Sequence, residues 1–387
     1  MSDIVIAGIG QTEVGEHWEI SLRELGVDAL HAAVKDSGGL RPQALFVGNM
    51  LAPSLSRQAH VGALIADYAG YVGIEAVTVE AAGASGGAAL HQAYLAIASG
   101  LVDVALVLGV EKFTDKIGPD VDEALASASD SDYEAMQGLT TTAQAALIMR
   151  RYMHEFDVPA DGFAGFPLVA HANGAGNPYA MFQKAIKPET YAKAEFVSEP
   201  LNMFDVAPNA DGAAALLLTR PDLLPKDFGH PLVRIAASTV SSDTLALHDR
   251  PDPLAFSAAH ISVERALQKA GLTLDAIDFF EYHDAFSIYA ALSLEAAGFA
   301  PRGAGWKLAA DGSIGLQGRI PAATLGGLKA RGNPGGASGI YQAVEAALQL
   351  RGEAGKNQLP AARTALIQSL GGPASTAAAH ILSRLEG

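Results

Sequence analysis

The 387-residue chain contains no cysteine. Disulfides, thiolate metal sites and a cysteine nucleophile are therefore excluded together. Positive charge is also scarce: 26 Lys plus Arg stand against 42 Asp plus Glu, a formal net charge of −16, with no basic run to offset it locally. Such a surface repels phosphate backbones and anionic lipid, so neither nucleic acid nor a membrane is an expected partner. The apolar stretch from Ile97 to Val110 is broken by Ser99, Gly100 and Asp103, short of the roughly 18 to 20 residues of a membrane span. The first ten residues run straight into an apolar segment without a basic region or cleavage site, so a cytoplasmic protein is expected. The histidines show no His-x-x-x-His spacing and no carboxylate cluster, so no metal site is expected. Gly8-Ile-Gly lacks the third glycine of a dinucleotide fingerprint.

What is present is a core-rich composition, with 49% hydrophobic and 18% charged residues and 41 glycines. Its length suggests two or three core units. Ile4–Ile9, Leu45–Val47 and Val102–Leu108 read as buried strands, and Ser21–Ser37, His60–Tyr68 and Gly86–Ser99 carry helical apolar spacing. Strands alternating with helices imply a largely parallel, layered α/β architecture. From about Phe113 to Pro200 the pattern changes to an acidic segment, a helix over Thr141–His154 and a polar stretch dotted with aromatics, which reads as an insertion over the sheet. Core patterning resumes at Asp211, Pro221–Pro231 reads as a linker, and beyond it Leu232–Ser238 and Phe279–Tyr282 read as strands flanking a helix over Ser257–Ala270.

The two halves contain a weak repeat. Gly83-Ala-Ser-Gly and Gly336-Ala-Ser-Gly each open a helix that closes on a glycine, Gly100 or Gly352, before a buried strand, Val102–Leu108 or Thr364–Leu370. Either chance in an Ala/Gly-rich chain produces this, or the chain consists of duplicated α/β halves packed face to face.

Seven segments in order resemble the thiolase superfamily, in particular its sterol-carrier-protein-like and archaeal-type members. They are Gly8-Ile-Gly-Gln-Thr-Glu, Val79-Glu-Ala-Ala-Gly-Ala-Ser-Gly-Gly, Gly109-Val-Glu-Lys, Asp211-Gly-Ala-Ala-Ala, His283-Asp-Ala-Phe, Gly326-Gly-Leu-Lys-Ala-Arg-Gly-Asn-Pro-Gly-Gly-Ala-Ser-Gly and Gly371-Gly. The resemblance covers essentially the whole chain. It implies duplicated βαβαβαββ halves in a five-layer arrangement with an inserted loop domain: residues 1–225 as the N-terminal half, including the insertion at about 113–200, and 226–387 as the C-terminal half. It also implies a homodimer, a CoA thioester as substrate with no permanently bound cofactor, and, by analogy with thiolase-like sterol side-chain aldolases, a small OB-fold partner.

The resemblance assigns chemistry to four positions, three of which are changed here. The nucleophilic Cys falls at Gly83, the His that activates it at Asn333, and the acid/base Cys of Cys-x-Gly-Gly at Ser369; only the oxyanion-hole His is kept, as His283. Two-step thiolysis needs a nucleophile that accepts and releases the acyl group. With Gly83 and Asn333 that route is closed. A pocket that polarises a thioester carbonyl remains, because His283, the Asn333 amide and N–H groups around Gly83 and Gly371 are able to stabilise an enolate oxygen, each donor supplying roughly 3 to 4 kcal/mol. An aldol or retro-aldol step needs such donors plus an acid/base at the β-hydroxyl. Tyr282, Asp284, Tyr341 and Ser369 are the expected candidates for that second role. For the CoA phosphates Lys184, Lys187 and Lys193 form the local basic cluster.

Each of these residues also has a plainer reading. His283 and Asp284 form a local pair, Asn333 is a turn residue before Pro334, Ser369 ends a buried strand, and the lysines are solvated surface charges. Ser85, Gly86 and Gly87 either cradle an anion or allow close packing at a helix start, the latter favoured. The leading expectation is a CoA-thioester enzyme that makes or breaks a carbon–carbon bond without an acyl-cysteine. The rivals are a non-catalytic homologue serving as an acyl-CoA-binding or structural subunit, and an inactivated variant of an ordinary thiolase.

Overall fold

The computed structural model describes residues 3–385; Met1, Ser2, Glu386 and Gly387, at the outer ends of the two expected halves, lie outside the described residues. Eleven strands form: β1 (Val5–Gln11), β2 (Ala44–Gly48), β3 (Glu75–Val79), β4 (Val104–Glu111), β5 (Phe196–Ser198), β6 (Leu201–Asn202), β7 (Gly212–Thr219), β8 (Val233–Ser242), β9 (Phe279–Glu281), β10 (Thr364–Gly371) and β11 (Thr376–Arg384). Nine of them run in the order β3-β2-β4-β7-β1-β8-β11-β10-β9, and β5-β6 is a separate small hairpin. The long sheet is two wings joined at one point, since β1 and β8 meet through the single pair Val5 and Arg234.

The wings repeat each other. In the first, β2 and β4 are parallel while β4–β7 and β7–β1 are antiparallel. In the second, β9 and β10 are parallel while β10–β11 and β11–β8 are antiparallel. The counterpart of β3 in the second wing is reduced to an isolated parallel bridge between Phe280 and Ala322. Duplication, the stronger of the two readings of the Ala-Ser-Gly repeat, is thus carried by the topology. The expectation of a largely parallel sheet is corrected: five of the eight pairings in the large sheet are antiparallel. The unbroken apolar run in β4 reflects burial on both faces, which parallel strands usually show. Here stacked layers produce the same burial for an antiparallel neighbour.

The helices Ser85–Ala98 and Ser338–Arg351 lie between the wings and touch both; the helices Leu22–Asp36 and Ser257–Ala270 cover the outer faces. The five layers are helix, sheet, helix pair, sheet and helix. The helix Leu22–Asp36 starts where it does because Ser21 and Glu24 form a reciprocal capping box, and it buries Leu22, Leu25, Ala29, Leu30 and Ala33. Between β4 and β7 the chain builds the inserted unit, whose helix Thr141–Glu155 packs on the helix Ser287–Ala296 of the second half.

The helix Ser338–Arg351 is buried on every side, so its polar residues need partners inside the protein. Glu345 meets Arg331 Nη1 at 2.7 Å, with both side chains essentially inaccessible, and the Arg331 guanidinium lies 5.0 Å from the centre of the Tyr341 ring. Removing one partner of a buried pair leaves a charge uncompensated. Glu345→Leu should therefore lower unfolding free energy by about 3–5 kcal/mol in denaturant titration, and the double change Glu345→Leu with Arg331→Met should recover most of that loss. A double variant no more stable than the single one would show that packing, not charge pairing, governs this contact.

Candidate active site

After β3 the chain turns sharply into the helix Ser85–Ala98. Ala82, in the turn, has φ of +49°, a left-handed conformation that costs a non-glycine residue roughly 1–2 kcal/mol. Its N–H is held by Glu80 Oε1 at 2.6 Å, and Ser85 Oγ donates to its carbonyl at 2.6 Å while accepting from Ala81 N–H at 2.9 Å. Gly83 follows at the tip. A Cβ built there would lie 2.6 Å from the Leu370 carbonyl oxygen, 3.2 Å from His283 Cε1 and 3.5 Å from His283 Nε2. The position is closed to a side chain by backbone as well as by the imidazole edge. At Ser85-Gly86-Gly87 the structure favours the packing role: a Cβ on Gly86 would meet Gly336 O at 2.9 Å.

His283 follows β9, and acids on both sides fix it. Glu281 Oε1 accepts from Thr324 N–H at 3.0 Å and from the Thr324 hydroxyl at 2.6 Å, and Asp284 Oδ1 accepts from Leu328 N–H at 2.7 Å. Asp284 works against Gly327, at φ of +54°, where any Cβ would strike its carboxylate at 2.6 Å. His283 is 5% exposed, and its Nδ1 is buried without a partner. Burial first, then the Arg331 charge, pushes its pKa down to about 3, so the ring is neutral. Asn333 faces it across the cavity. The Asn333 backbone pairs with the 208–210 segment, and Ser338 Oγ donates to Oδ1 at 3.0 Å. That bond orients the amide and leaves Nδ2 as the available donor.

Gly83, His283 and Asn333 line one cavity of about 100 Å³, together with the backbone at Leu370 and Gly372. Other expected site residues are elsewhere. Ser369 is fully buried with its Oγ unpartnered, and it sits against Gly87 and Gly339 of the central helices. The reason is strand alternation: Leu370 turns toward the cavity, so Ser369 turns to the opposite face. Tyr282 packs edge-on against Phe280 in the apolar core. The Tyr341 hydroxyl is spent on Thr12, 3.1 Å from both its Oγ1 and its carbonyl. Asp284 is committed to the turn described above. Gly371 admits the close passage of the Ala81 carbonyl rather than lining the cavity. A second cavity of about 850 Å³ shares Val206 and Ala207 with the first and is lined by Lys184, His171, Phe182 and Lys329; Lys187 and Lys193 are outside it.

The structure also places at the first cavity residues that the sequence pattern did not single out: Asn209, Gln144 from the insertion and Tyr289 from the helix after His283. Tyr289 stands six residues beyond His283 in a run, Ser287-Ile-Tyr-Ala-Ala-Leu, that carries no signal other than a buried helix.

The fold, the elbow and the His283 site define a thiolase-type protein. The chain belongs to the thiolase family: residues 4–222 match the family model described as "Thiolase, N-terminal domain", and residues 239–384 match "Thiolase C-terminal domain-like". Among relatives, an acetyl-CoA acetyltransferase of Methanothermobacter thermautotrophicus is 40% identical over 99% of this chain and 100% of its own. The benzoylsuccinyl-CoA thiolase subunit BbsB of Thauera aromatica is 31% identical over 95% of this chain and 94% of its own. Among solved structures, one titled "Ltp2-ChsH2(DUF35) aldolase" superposes with a TM-score of 0.84 at 25% identity, covering 99% of this chain and 98% of the other.

Two outcomes follow. Gly83→Cys should place its Cβ against a backbone carbonyl, lowering stability by about 1–3 kcal/mol and leaving no acyl adduct after incubation with acetyl-CoA in intact-mass spectra; a stable variant that acylates would contradict the closed elbow. His283 should show no imidazole titration by NMR between pH 5 and 8. Because its folded pKa of about 3 is below the unfolded value near 6.5, its contribution is present above pH 6.5 and is lost as pH falls toward 3. An imidazole shift with a midpoint near 6.5 would show that the ring is solvated.

Proposed function

We propose that this protein acts on a CoA thioester, cleaving or forming a carbon–carbon bond by an aldol or retro-aldol step without an acyl-enzyme. The observation that carries this reading is the cavity itself: carbonyl-polarising donors, His283 and Asn333, stand beside a position, Gly83, that offers no nucleophile and no room for one. In the retro-aldol direction the bond between C2 and C3 breaks and its electron pair moves to the thioester oxygen. The β-hydroxyl gives its proton to water as C3 becomes a carbonyl, and C2 of the enolate takes one proton back from water, so the proton count closes. No oxidant or reductant is needed. The likeness to a structure titled as an aldolase supports this direction.

The larger cavity continuing from Val206 and Ala207 suits a pantetheine arm, with Lys184 at its wall and Lys187 nearby in sequence for the phosphates. A first cavity of about 100 Å³, compared with the roughly 150 Å³ that accommodates benzene in an engineered cavity, favours a short acyl group. We also place the protein in the cytoplasm as a homodimer, with the exposed edge strand β3 as the pairing surface, and with a small OB-fold protein as a second partner. Among the described residues no helix is long and apolar enough to cross a membrane.

The test is a mass-spectrometric assay of purified protein with panels of β-hydroxyacyl-CoA and β-ketoacyl-CoA, alone and with an OB-fold protein encoded beside it. Cleavage of a β-hydroxyacyl-CoA into a shorter thioester and an aldehyde or ketone is expected, reduced about 100-fold or more by His283→Ala. Absence of turnover in every mixture, together with binding to an active thiolase, would identify a non-catalytic subunit instead.

A further inference from the structure

The lining of the cavity carries a buried acceptor without a donor. Gln144, in the first turn of the helix Thr141–Glu155, is 1% exposed and lines the cavity. Its Nε2 donates to Glu134 Oε1 at 3.2 Å, and its Oε1 is buried with no partner. Glu134 fixes the orientation of the amide, because the reverse would set one oxygen against another, and leaves Oε1 as the unpaired end of this cavity-lining side chain. Glu134 is itself held: Oε1 also accepts from Leu247 N–H at 2.8 Å, and Oε2 accepts from Asp130 N–H at 3.0 Å. The Gln144 carbonyl is therefore a preset acceptor, and an unpaired buried acceptor is costly to maintain.

The same lining carries a donor. Tyr289 lines the same cavity from the helix Ser287–Ala296, which packs on the Gln144 helix. Its ring is gripped edge-on by Phe256 and Phe286, at centroid distances of 5.4 and 5.0 Å. Its hydroxyl makes no hydrogen bond to another of the described residues. Burial raises its pKa and outweighs the nearby Arg250 charge, so the phenol keeps its proton and is able to donate.

We propose that Gln144 and Tyr289 form a subsite for the β-hydroxyl of a 3-hydroxyacyl thioester, Gln144 Oε1 accepting from that hydroxyl and the Tyr289 phenol donating to its oxygen. This rests on the reading of the cavity as a CoA-thioester site and specifies the substrate class within it. A hydroxyl donates and accepts at once and satisfies both groups. A β-ketone only accepts and leaves Gln144 unpaired; a methylene satisfies neither. Sites built to hydrogen-bond a hydroxyl discriminate strongly against analogues that lack it.

Calorimetric titration of the full-length protein with both enantiomers of 3-hydroxybutyryl-CoA, with acetoacetyl-CoA and with butyryl-CoA tests this. One 3-hydroxybutyryl-CoA enantiomer should bind at least about tenfold more tightly than the other two thioesters. Gln144→Met, close in shape but without the acceptor, should erase that preference and leave butyryl-CoA affinity within about twofold, with an unchanged melting temperature as the folding control. Tyr289→Phe should weaken the hydroxyacyl thioester selectively. Equal binding of all the thioesters by the unaltered protein, or a preference surviving Gln144→Met, overturns the subsite while leaving the thioester reading intact. A uniform loss of affinity in Gln144→Met assigns the residue a structural role and likewise overturns it. Failure of every thioester to bind overturns the thioester reading, and the subsite with it.

Discussion

The starts of the two central helices approach each other so closely that side chains are excluded from the middle of the molecule, and the site inherits this constraint. A Cβ on Gly339 would come within 2.5 Å of Gly87 N, and one on Gly109 within 2.7 Å of Ala337 Cα. Each helix belongs to one half but packs on both wings. Small residues at their starts let backbone from one half reach the other. This is how Leu370, at the end of β10, comes to lie over Gly83 at the start of the first central helix. The cavity is a product of that contact, because neither half alone brings Gly83, His283 and Asn333 together.

Around this contact the buried charges of the second half are taken up by partners. Burial first, then the neighbouring Glu345 charge, holds the Glu281 carboxyl well above the usual carboxylate range. Arg331 is neutralised by Glu345, and Lys329 donates to the Asp205 carbonyl at 2.7 Å. Besides the carboxylate of Asp122, the polar side chains that line the cavity are an imidazole, three amides, a phenol and the hydroxyls of Thr141 and Thr142.

Much of this organisation was legible in the sequence, for identifiable reasons. Buried strands and capped helices announce themselves by apolar spacing, as at Ser21–Ser37, and the Ala-Ser-Gly repeat pointed to the paired central helices. Strand β3 carried no such signal, because it lies at the sheet edge with Glu75, Val77 and Thr78 exposed. The site was legible where backbone decides position, at Gly83, His283 and Asn333. It was not legible where side-chain direction decides. Ser369 and Leu370 differ by one residue in a strand, and only register assigns one of them to the cavity. Tyr282, Tyr341 and Tyr289 are equivalent as residue types, and only packing shows that Tyr289 is the one at the cavity. Gln144 is a polar residue in an amphipathic helix, informative only once Glu134 is known to hold its amide.

The elbow at Ala82 explains how the pocket keeps its shape around a glycine. Strain at a functional turn is ordinarily read as preorganisation for chemistry. Here the residue that would profit, Gly83, has no side chain to present. The left-handed Ala82 is nevertheless required, because the chain must leave β3 and enter the central helix beneath β10 within a few residues. Its cost is offset locally by the Glu80 and Ser85 hydrogen bonds to its own N–H and carbonyl. The turn is thus a consequence of layer geometry, and packing maintains the pocket it shapes.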